Sequence, residues 1–233
     1  MSMILLHEAL TWLVDPAQWA GPTGIAQRLF EHLLVTVGVV LIGVTIALPI
    51  GTAVGHTHRG RTLVTAVAGA ARAIPSLGLL TVLGLALGIG LQAPVLALVV
   101  LAIPSLLAGA YAGVENVSPA TVDAARSSGM SEMQIILWVE LPLAAPIILG
   151  GLRAATLQVV ATATLAAYVA DVGLGRFLYA GLKTRDYPQM LAGAVLLMIL
   201  ALLLEIVLSA VQRAGHKMAH PFANKLSNKT QPA

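Results

Sequence analysis

Residues 123–142 read DAARSSGMSEMQIILWVELP, and this polar stretch interrupts a chain of 233 residues that is otherwise strongly apolar. Hydrophobic residues make up 58% of the sequence and charged residues 10%, and the mean hydropathy is +0.90. This composition is typical of integral membrane proteins rather than soluble globular domains. The absence of cysteine excludes disulfides, thiol nucleophiles and cysteine-ligated zinc. The basic residues are scattered at the ends of apolar runs, which is not the basic stripe of a nucleic-acid-binding protein.

Five apolar stretches are long enough to cross about 30 Å of hydrocarbon, which takes about 20 helical residues. They cover residues 33–55, 73–91, 94–113, 144–169 and 190–211. Lipid offers no hydrogen-bond partner to the backbone, and these stretches lack the period-two alternation of strands, so each is predicted to be a helix. The sequence therefore predicts an all-α, polytopic membrane helix bundle with five transmembrane helices.

The basic residues predict the orientation of this bundle, because cytoplasmic loops carry the excess of Lys and Arg. Nine of the 13 basic residues fall on one side of the five spans. They are Arg59, Arg61, Arg72, Arg126, Arg153, Arg213, Lys217, Lys225 and Lys229. The N-terminus is therefore predicted outside, and residues 123–142 and the C-terminus inside. We expect an external flank at 1–31, a transmembrane domain at 32–213 and a polar cytoplasmic tail at 214–233, with no cleavable signal peptide because Met1–Val14 lacks a basic start.

Local signals divide the polar stretch into two short helices. Ser118 before Pro119 is a good N-cap and first helical residue, and Gly129 can end that helix in a left-handed conformation. Ser131 with Gln134 forms a capping-box pattern that starts a second helix, expected to run through Trp138, with Pro142 and Pro146 marking the entry to the fourth span. We expect a compact cytoplasmic knob, whose apolar side chains either contact a partner or lie on the inner face of the bundle.

The spacing within this stretch resembles the EAA motif of ABC importer permeases, which reads Glu-Ala-Ala, three residues, Gly, nine residues, Ile-x-Leu-Pro. Here Asp123-Ala124-Ala125 is followed after three residues by Gly129 and after nine more by Val139-Glu140-Leu141-Pro142. Asp replaces Glu and Val replaces Ile, and every spacing matches. Other stretches are similar to the permeases of glycine betaine, carnitine, choline and proline uptake: GPTGIAQRLFEHL at 21–33, RAIPSLGLLTVLGLALGIG at 72–90, ELPLAAPIILGGLRAATL at 140–157 and TATLAAYVADVGLGRFLYAGL at 162–182.

The resemblance implies the type I transmembrane subunit of an ATP-driven importer for osmoprotectants. Such a subunit pairs with a second permease chain, identical or related, with two cytoplasmic ATPase subunits and with an external substrate-binding protein. The residues implied to couple the membrane helices to the ATPase are Asp123, Ala124, Ala125, Arg126, Gly129, Leu141 and Pro142. The sequence has no GxxxxGK[ST] phosphate loop, so ATP and magnesium are expected on the partner, and no cofactor, metal or catalytic residue is expected in this chain. One alternative is the same architecture importing methionine or another amino-acid derivative. A second alternative is a secondary carrier, but the five spans show no internal repeat, which argues against it.

The substrate path is predicted from a repeated pentapeptide. AIPSL occurs at 73–77 and at 102–106, each time within a predicted span. Proline frees a carbonyl and bends a helix, so these positions either line a cavity or gate or are tolerated kinks. The candidate path residues are Pro75, Ser76, Pro104, Ser105 and Tyr111. Tyr111 and Tyr168 are the aromatics nearest the expected cavity, as substrate ligands or as packing residues.

Other polar residues carry weaker hypotheses. Glu205, inside the last predicted span, suggests either proton coupling or, because it lies near the cytoplasmic end, pairing with Arg213 or Lys217. His56 and His58 lack a third ligand for zinc. The charged residues between the fourth and fifth spans either contact the external binding protein or form a solvated face: Asp171, Arg176, Lys183, Arg185 and Asp186.

Overall fold

A computed structural model describes residues 2–219, and all regular structure in that range is helical. The helices are α1 Ser2–Val14, α2 Ile25–Thr57, α3 Arg61–Ala73, α4 Ser76–Leu87, α5 Gln92–Glu115, α6 Pro119–Ser127, α7 Glu132–Ile135, α8 Leu141–Thr162, α9 Ala166–Val169, α10 Gly175–Thr184 and α11 Tyr187–Ala219. Short 3-10 turns lie at Pro16–Gln18 and Ala163–Leu165, and a π turn lies at Ile136–Glu140. Lys225 and Lys229, and most of the predicted tail at 214–233, lie outside the described residues.

Four helical stretches are long and apolar enough to cross a membrane: Ile25–Thr57, Gln92–Glu115, Glu132–Val169 and Tyr187–His216. Helices α3 and α4 pass the same test only as a pair, and the pair is bent by 84°. The structure therefore confirms an all-α, polytopic membrane bundle with four spans, or five if the bent pair counts as one.

The second predicted span, residues 73–91, is not the single helix that its hydropathy suggests. It begins at the C-terminal residue of α3, breaks at Ile74 and Pro75, and continues as α4, which is 12 residues long. Pro75 has an extended backbone, with φ −63° and ψ 120°, and occupies the N-cap position of α4. Proline has no N–H and disfavours helical geometry in the residue before it, which accounts for the break at this point.

The polar stretch follows its local capping signals at three positions. Ser118 occupies the N-cap of α6, although its side chain makes no capping hydrogen bond, and Pro119 is the first helical residue. Gly129 follows the end of α6 with φ +87°. The side chain of Ser131 accepts a hydrogen bond from Gln134 N–H, and the Gln134 side chain accepts one from Ser131 N–H, which completes the capping box.

The predicted second short helix is wrong in one respect, because it does not end near Trp138. From Glu132 onward the helix continues without a break into the fourth span, passing through the π turn. Within that turn Leu141 N–H donates to the carbonyl of Ile136, five residues back. Pro142 has no N–H and its ring would crowd a carbonyl four residues back, so one wider turn lets the helix pass the proline instead of stopping.

The described residues separate into two compact units, of which the first comprises the chain up to Ile42, Ala73–Ala102 and Thr156–Leu204. Its core consists of Ile25, Val160, Leu174, Phe177 and Leu200, with partly buried neighbours such as Trp12 and Leu196 packed against it. The Trp12 and Phe177 rings meet edge to face at a centroid distance of 5.2 Å, so α1 packs against the same core as the longer helices.

The second unit comprises Gly43–Arg72, Ile103–Ala155 and the chain from Glu205 onward. Its helices approach one another closely at small residues, as is common where helices pack in membranes. A Cβ on Gly109 of α5 would lie 2.7 Å from the Cα of Gly151 on α8. A Cβ on Gly55 of α2 would lie 2.8 Å from the Cβ of Val114 on α5. These glycines therefore set the spacing of α2, α5 and α8.

Candidate functional site

Helix α6 lies on the surface of the second unit and is held by one apolar contact. Val122, which is half-buried, packs against the buried cluster of Val114, Val117 and Ala144. The first two residues of the predicted coupling set, Asp123 and Ala124, are exposed, as are Arg126 and Gly129, while Ala125 is half-buried. The helix therefore presents a small-residue and charged face outward, as the sequence predicts for a docking element.

Arg126 fixes the end of α6 to the beginning of α7. Its Nε donates to Oε1 of Glu132 at 2.7 Å and its Nη2 to Oε2 of the same carboxylate at 2.9 Å. Its Nη1 also donates to Oδ1 of Asp123 at 3.0 Å. The hydrogen bond to Glu132 is the main reason that the pKa of Arg126 is raised above its ordinary value. The paired donors make α6 and α7 one rigid hairpin around Gly129.

His56, in the last turn of α2, extends this chain of contacts to a buried carboxylate. Its Nε2 lies 3.1 Å from Oε2 of Glu132, and its Nδ1 lies 2.8 Å from Oε2 of Glu140 in the π turn. The Glu140 side chain is only 5% exposed and that of His56 12%. The series of contacts from Asp123 through Arg126, Glu132 and His56 to Glu140, called here the charged chain, therefore links α6 to α2 and to the start of the fourth span.

Sequence reasoning missed His56 and Glu140 as part of this site. His56 was considered only as a zinc ligand, and Glu140 only as the variable position of the motif. The two carboxylates contact opposite edges of the His56 ring, an arrangement in which they cannot share a metal ion. Within residues 2–219 no group of three or more His, Cys, Asp or Glu side chains is placed to hold a metal ion. The available signal was the presence of both residues beside long apolar runs, where an unpaired charge would be costly.

The remaining predicted coupling residues follow the charged chain along the helix. Leu141 is half-buried and Pro142 exposed, directly after the π turn that contains Glu140. Nothing lies within 4 Å of the position a Cβ would take at Gly129, so its positive φ rather than crowding requires glycine there. Three apolar residues of this region are exposed, Met133 at 63%, Leu137 at 53% and Trp138 at 75%, whereas Ile135 is fully buried. The segment thus has one apolar face inward and another outward.

The predicted path residues divide between the two units. Pro75 is exposed at the break before α4, and Ser76 lines a small cavity of the first unit beside Leu80 and Pro94. In the second unit, Pro104 is fully buried inside an unbroken α5. Ser105 and Tyr111, on the same helix, are half-buried and buried respectively. Their role in a substrate path stays a prediction.

Glu205 pairs with Arg153 and not with the predicted partner Arg213. Its carboxylate accepts hydrogen bonds from Arg153 of α8, including one from Nε at 2.8 Å. Arg213 instead donates to the carbonyl and hydroxyl of Ser209 on its own helix, and the Lys217 side chain lies outside the described residues. The predicted partner Arg213 is wrong because Arg153, on α8 and so three helices before α11, is brought to Glu205 by packing and not by sequence proximity.

Residues 2–219 thus form a polytopic helical bundle with an exposed charged hairpin at α6 and α7, which is the architecture of a multi-pass membrane protein. The family described as the inner membrane component of binding-protein-dependent transport systems matches residues 40–216. The chain belongs to this family, and it is a multi-pass subunit of the inner, cytoplasmic membrane.

Individual relatives agree with this assignment. The carnitine transport permease protein OpuCB of Listeria monocytogenes is 31% identical over 172 residues, which cover 74% of this chain and 79% of the relative. The choline transport system permease protein OpuBB of Bacillus subtilis (strain 168) is 29% identical over 174 residues, 75% of this chain and 80% of the relative. A solved chain of the MetNI methionine ABC transporter, in an inward-facing conformation, is 25% identical with a TM-score of 0.73, covering 86% of this chain and 98% of that one.

Proposed function

We propose that this chain is the permease subunit of an ATP-driven importer for osmoprotectants such as glycine betaine, choline, carnitine or proline. The observation that carries the substrate class is the likeness to the carnitine and choline permeases, at 31% and 29% identity over about three quarters of the chain. The same architecture importing methionine is the second candidate, because the MetNI chain is similar over 86% of this one. We favour the osmoprotectants because the sequence identity to their permeases is higher.

In this proposal the hairpin of α6 and α7 faces the cytoplasm and docks on a separate ATPase subunit, which binds ATP and magnesium. Two features support the docking. The outward face of α6 has the small Ala124 and the exposed carboxylate of Asp123, which suit close approach and an ion pair with a basic partner. Trp138 and Met133 add exposed apolar area beside it. A second permease chain and an external substrate-binding protein complete the proposed transporter.

The charged chain explains how docking would act on the membrane helices. A displacement of α6 is passed through Arg126 and Glu132 to His56 on α2, and through Glu140 to the start of α8. Because Arg126 holds Glu132 with two hydrogen bonds, the hairpin moves as one body rather than bending at Gly129. The two spans that meet at His56 and Glu140 would then move together.

The docking is tested by Asp123→Lys and by Gly129→Val, each purified with a co-expressed ATPase subunit. Charge reversal at Asp123 is expected to reduce co-purification of the ATPase and ATP-dependent uptake at least tenfold, with normal amounts of folded permease. The control is Glu8→Lys, which reverses an exposed acidic charge on α1 outside the hairpin and should leave co-purification unchanged. Equal recovery of the ATPase with Asp123→Lys would refute the docking proposal.

The substrate class is tested on the external binding protein that is encoded with this permease. Calorimetry with glycine betaine, choline, carnitine, proline and methionine should show binding of at least one of the first four. Binding of methionine alone would favour the second candidate, and binding of none of the five would remove both.

A further inference from the structure

A cavity of about 490 Å³ lies in the first unit beside α4. One wall is formed by Thr81, Gly84 and Leu85 of α4, and the other includes Tyr168, Asp171 and Arg176. This volume falls within the roughly 300–1,000 Å³ of ordinary small-molecule sites. The cavity therefore combines an apolar helix face with one aromatic ring, one carboxylate and one guanidinium.

The charged wall of this cavity is held in place by one buried and one half-buried residue of α2. Arg28, 5% exposed, donates through Nη2 to Oδ1 of Asp171 at 2.9 Å and through Nη1 to the Asp171 carbonyl at 2.7 Å. Glu31 accepts from Arg28 at 2.9 Å and from the backbone N–H of Gly173 at 3.0 Å. These contacts fix both the side chain of Asp171 and the backbone turn that precedes α10.

The exposed members of this cluster offer groups of both signs. Arg176 Nε lies 2.7 Å from Oδ1 of Asp171 as an ion pair, so both arginines contact the same carboxylate oxygen. The Asp171 side chain is 66% exposed and that of Arg176 39%. The formal charges of Arg28, Glu31, Asp171 and Arg176 cancel. A neutral cluster that exposes one carboxylate oxygen and the Nη groups of one guanidinium suits a zwitterion better than a simple cation or anion.

Aromatic rings lie beside the carboxylate. Tyr168 is 62% exposed, and its ring centroid is 5.8 Å from that of Tyr179. Burial raises the pKa of the Tyr179 hydroxyl, with a further contribution from Tyr168, so Tyr179 stays neutral and supports the neighbouring ring. The face of an aromatic ring attracts quaternary ammonium groups, and here the Asp171 carboxylate lines the same cavity.

We propose that this cavity is a site for a small zwitterion that carries a quaternary ammonium group and a carboxylate. The ammonium group lies against the Tyr168 ring and Asp171, and the carboxylate accepts hydrogen bonds from the Nη groups of Arg176. This inference rests on the proposed function, which it deepens by giving the permease itself a contact with its substrate. It also separates two substrates of that class, because choline has the ammonium group but no carboxylate for Arg176.

The site is tested by saturation-transfer NMR of glycine betaine and of choline on the purified full-length chain in nanodiscs. With the unmodified protein, the methyl protons of glycine betaine should receive saturation, and the absence of that signal would overturn the proposal. Tyr168→Leu should weaken betaine binding about tenfold, whereas Tyr168→Phe, which keeps the ring face, should stay within about twofold. Arg176→Gln should weaken betaine binding about tenfold and leave choline binding within about twofold.

Matched controls lie outside the cavity. Tyr187→Leu removes another exposed tyrosine and Arg185→Gln another exposed arginine, and neither should change binding of either compound. Equal losses in the control and cavity variants, or wild-type binding by Tyr168→Leu, would exclude the site. Thermal unfolding of Tyr168→Leu, measured beside Tyr168→Phe and the unmodified chain, shows whether the leucine variant is folded, and retained choline binding shows that Arg176→Gln is folded.

Uptake by the assembled transporter, with its ATPase and binding protein in proteoliposomes, distinguishes this inference from the proposed function. If the unmodified transporter imports glycine betaine and the cavity variants bind and import it equally well, the site is wrong and the function stands. If the transporter imports no osmoprotectant, the proposed function fails, whatever the NMR binding shows.

Discussion

Glu205 and Arg153 form a charged pair between two membrane helices. The carboxylate of Glu205 on α11 accepts from the guanidinium of Arg153 on α8, and Arg153 Nη1 also donates to the side chain of Gln212 at 3.0 Å. Gln212 in turn donates to the carbonyl of Pro146 in α8 at 3.2 Å. The acid thus has a complete set of partners, which removes the main reason to assign it a proton-coupling role.

Glu205→Gln should therefore leave ATP-dependent uptake within about twofold of the unmodified transporter at every pH from 5.5 to 8, when uptake is expressed per folded permease. The amide keeps an acceptor for Arg153 but loses the charge, and since both side chains are about a third exposed, we expect the unfolding temperature to fall by no more than about 3 °C. The measurements are uptake into proteoliposomes and thermal unfolding. Abolished uptake by a stable Glu205→Gln protein would restore the proton-coupling hypothesis.

At the scale of elements, the two copies of the pentapeptide AIPSL have conformations that the sequence of the pentapeptide does not predict. At 102–106 it lies inside an unbroken α5, where Ala102 and Leu106 are buried. At 73–77 it breaks the chain between α3 and α4, where Ile74 and Leu77 are exposed. Identical residues thus adopt two conformations. The copy at 102–106 stays helical because buried neighbours pack against it in α5, whereas the copy at 73–77 is exposed and lacks that support. Capping signals at Gly129 and Ser131 were predictable, since they depend on neighbours within four residues.

His56 connects α2 to the π turn, and we expect His56→Ala to affect both stability and coupling. Removing the imidazole leaves the buried Glu140 carboxylate without its partner, at a cost of about 1–3 kcal/mol in the free energy of unfolding. The displacement of α6 would also reach α2 less effectively, so uptake per ATP hydrolysed should fall several-fold. Parallel measurements of ATPase activity and uptake give that ratio.

His58→Ala is the matched control for this prediction, because His58 is exposed just after α2 and is not part of the charged chain. It should leave both the unfolding free energy and the ratio of uptake to ATP hydrolysis unchanged. If His56→Ala had the same ratio as the control, the charged chain would be a purely structural feature.

The approach of α5 to α8 provides a second prediction about elements. A side chain larger than hydrogen at Gly109 would meet the backbone of Gly151, which cannot move without shifting a helix. Gly109→Val should therefore destabilise the protein by about 1–3 kcal/mol or prevent its accumulation in the membrane. Gly38→Ala, at a helical glycine with nothing within 4 Å of the added methyl group, should be neutral. Thermal unfolding of both variants tests this, and a stable Gly109→Val protein would show that the helices are not held at this distance.

At the scale of the whole molecule, the fold class was predictable because hydropathy and chain length constrain a membrane bundle strongly. The pairing of residues that are distant in the sequence was not predictable. Arg28 with Asp171 and His56 with Glu140 join positions 143 and 84 residues apart, and such pairs depend on which helices pack together. The proposed coupling surface was found through local motif spacing, whereas the proposed zwitterion site required the three-dimensional arrangement of α2, α4 and α10.

The orientation of the chain is the last prediction, and it rests on the positive-inside rule. The four basic residues predicted outside, Arg28, Arg176, Lys183 and Arg185, all belong to the first unit. Those predicted inside with described side chains, from Arg59 to Arg213, all belong to the second. One residue from each group is therefore enough to choose a labelling site for either predicted side.

Because the chain contains no cysteine, single introduced cysteines can test this orientation without any native cysteine having to be removed first. Ser128→Cys, at the exposed end of α6, should react with a membrane-impermeant maleimide only after the cells are opened. Thr184→Cys, exposed at the end of α10, should react in intact spheroplasts. The unmodified chain, which cannot be labelled, is the control. The reverse labelling pattern would place α6 outside the cell, where no ATPase could dock, and the coupling proposal would fall together with the orientation.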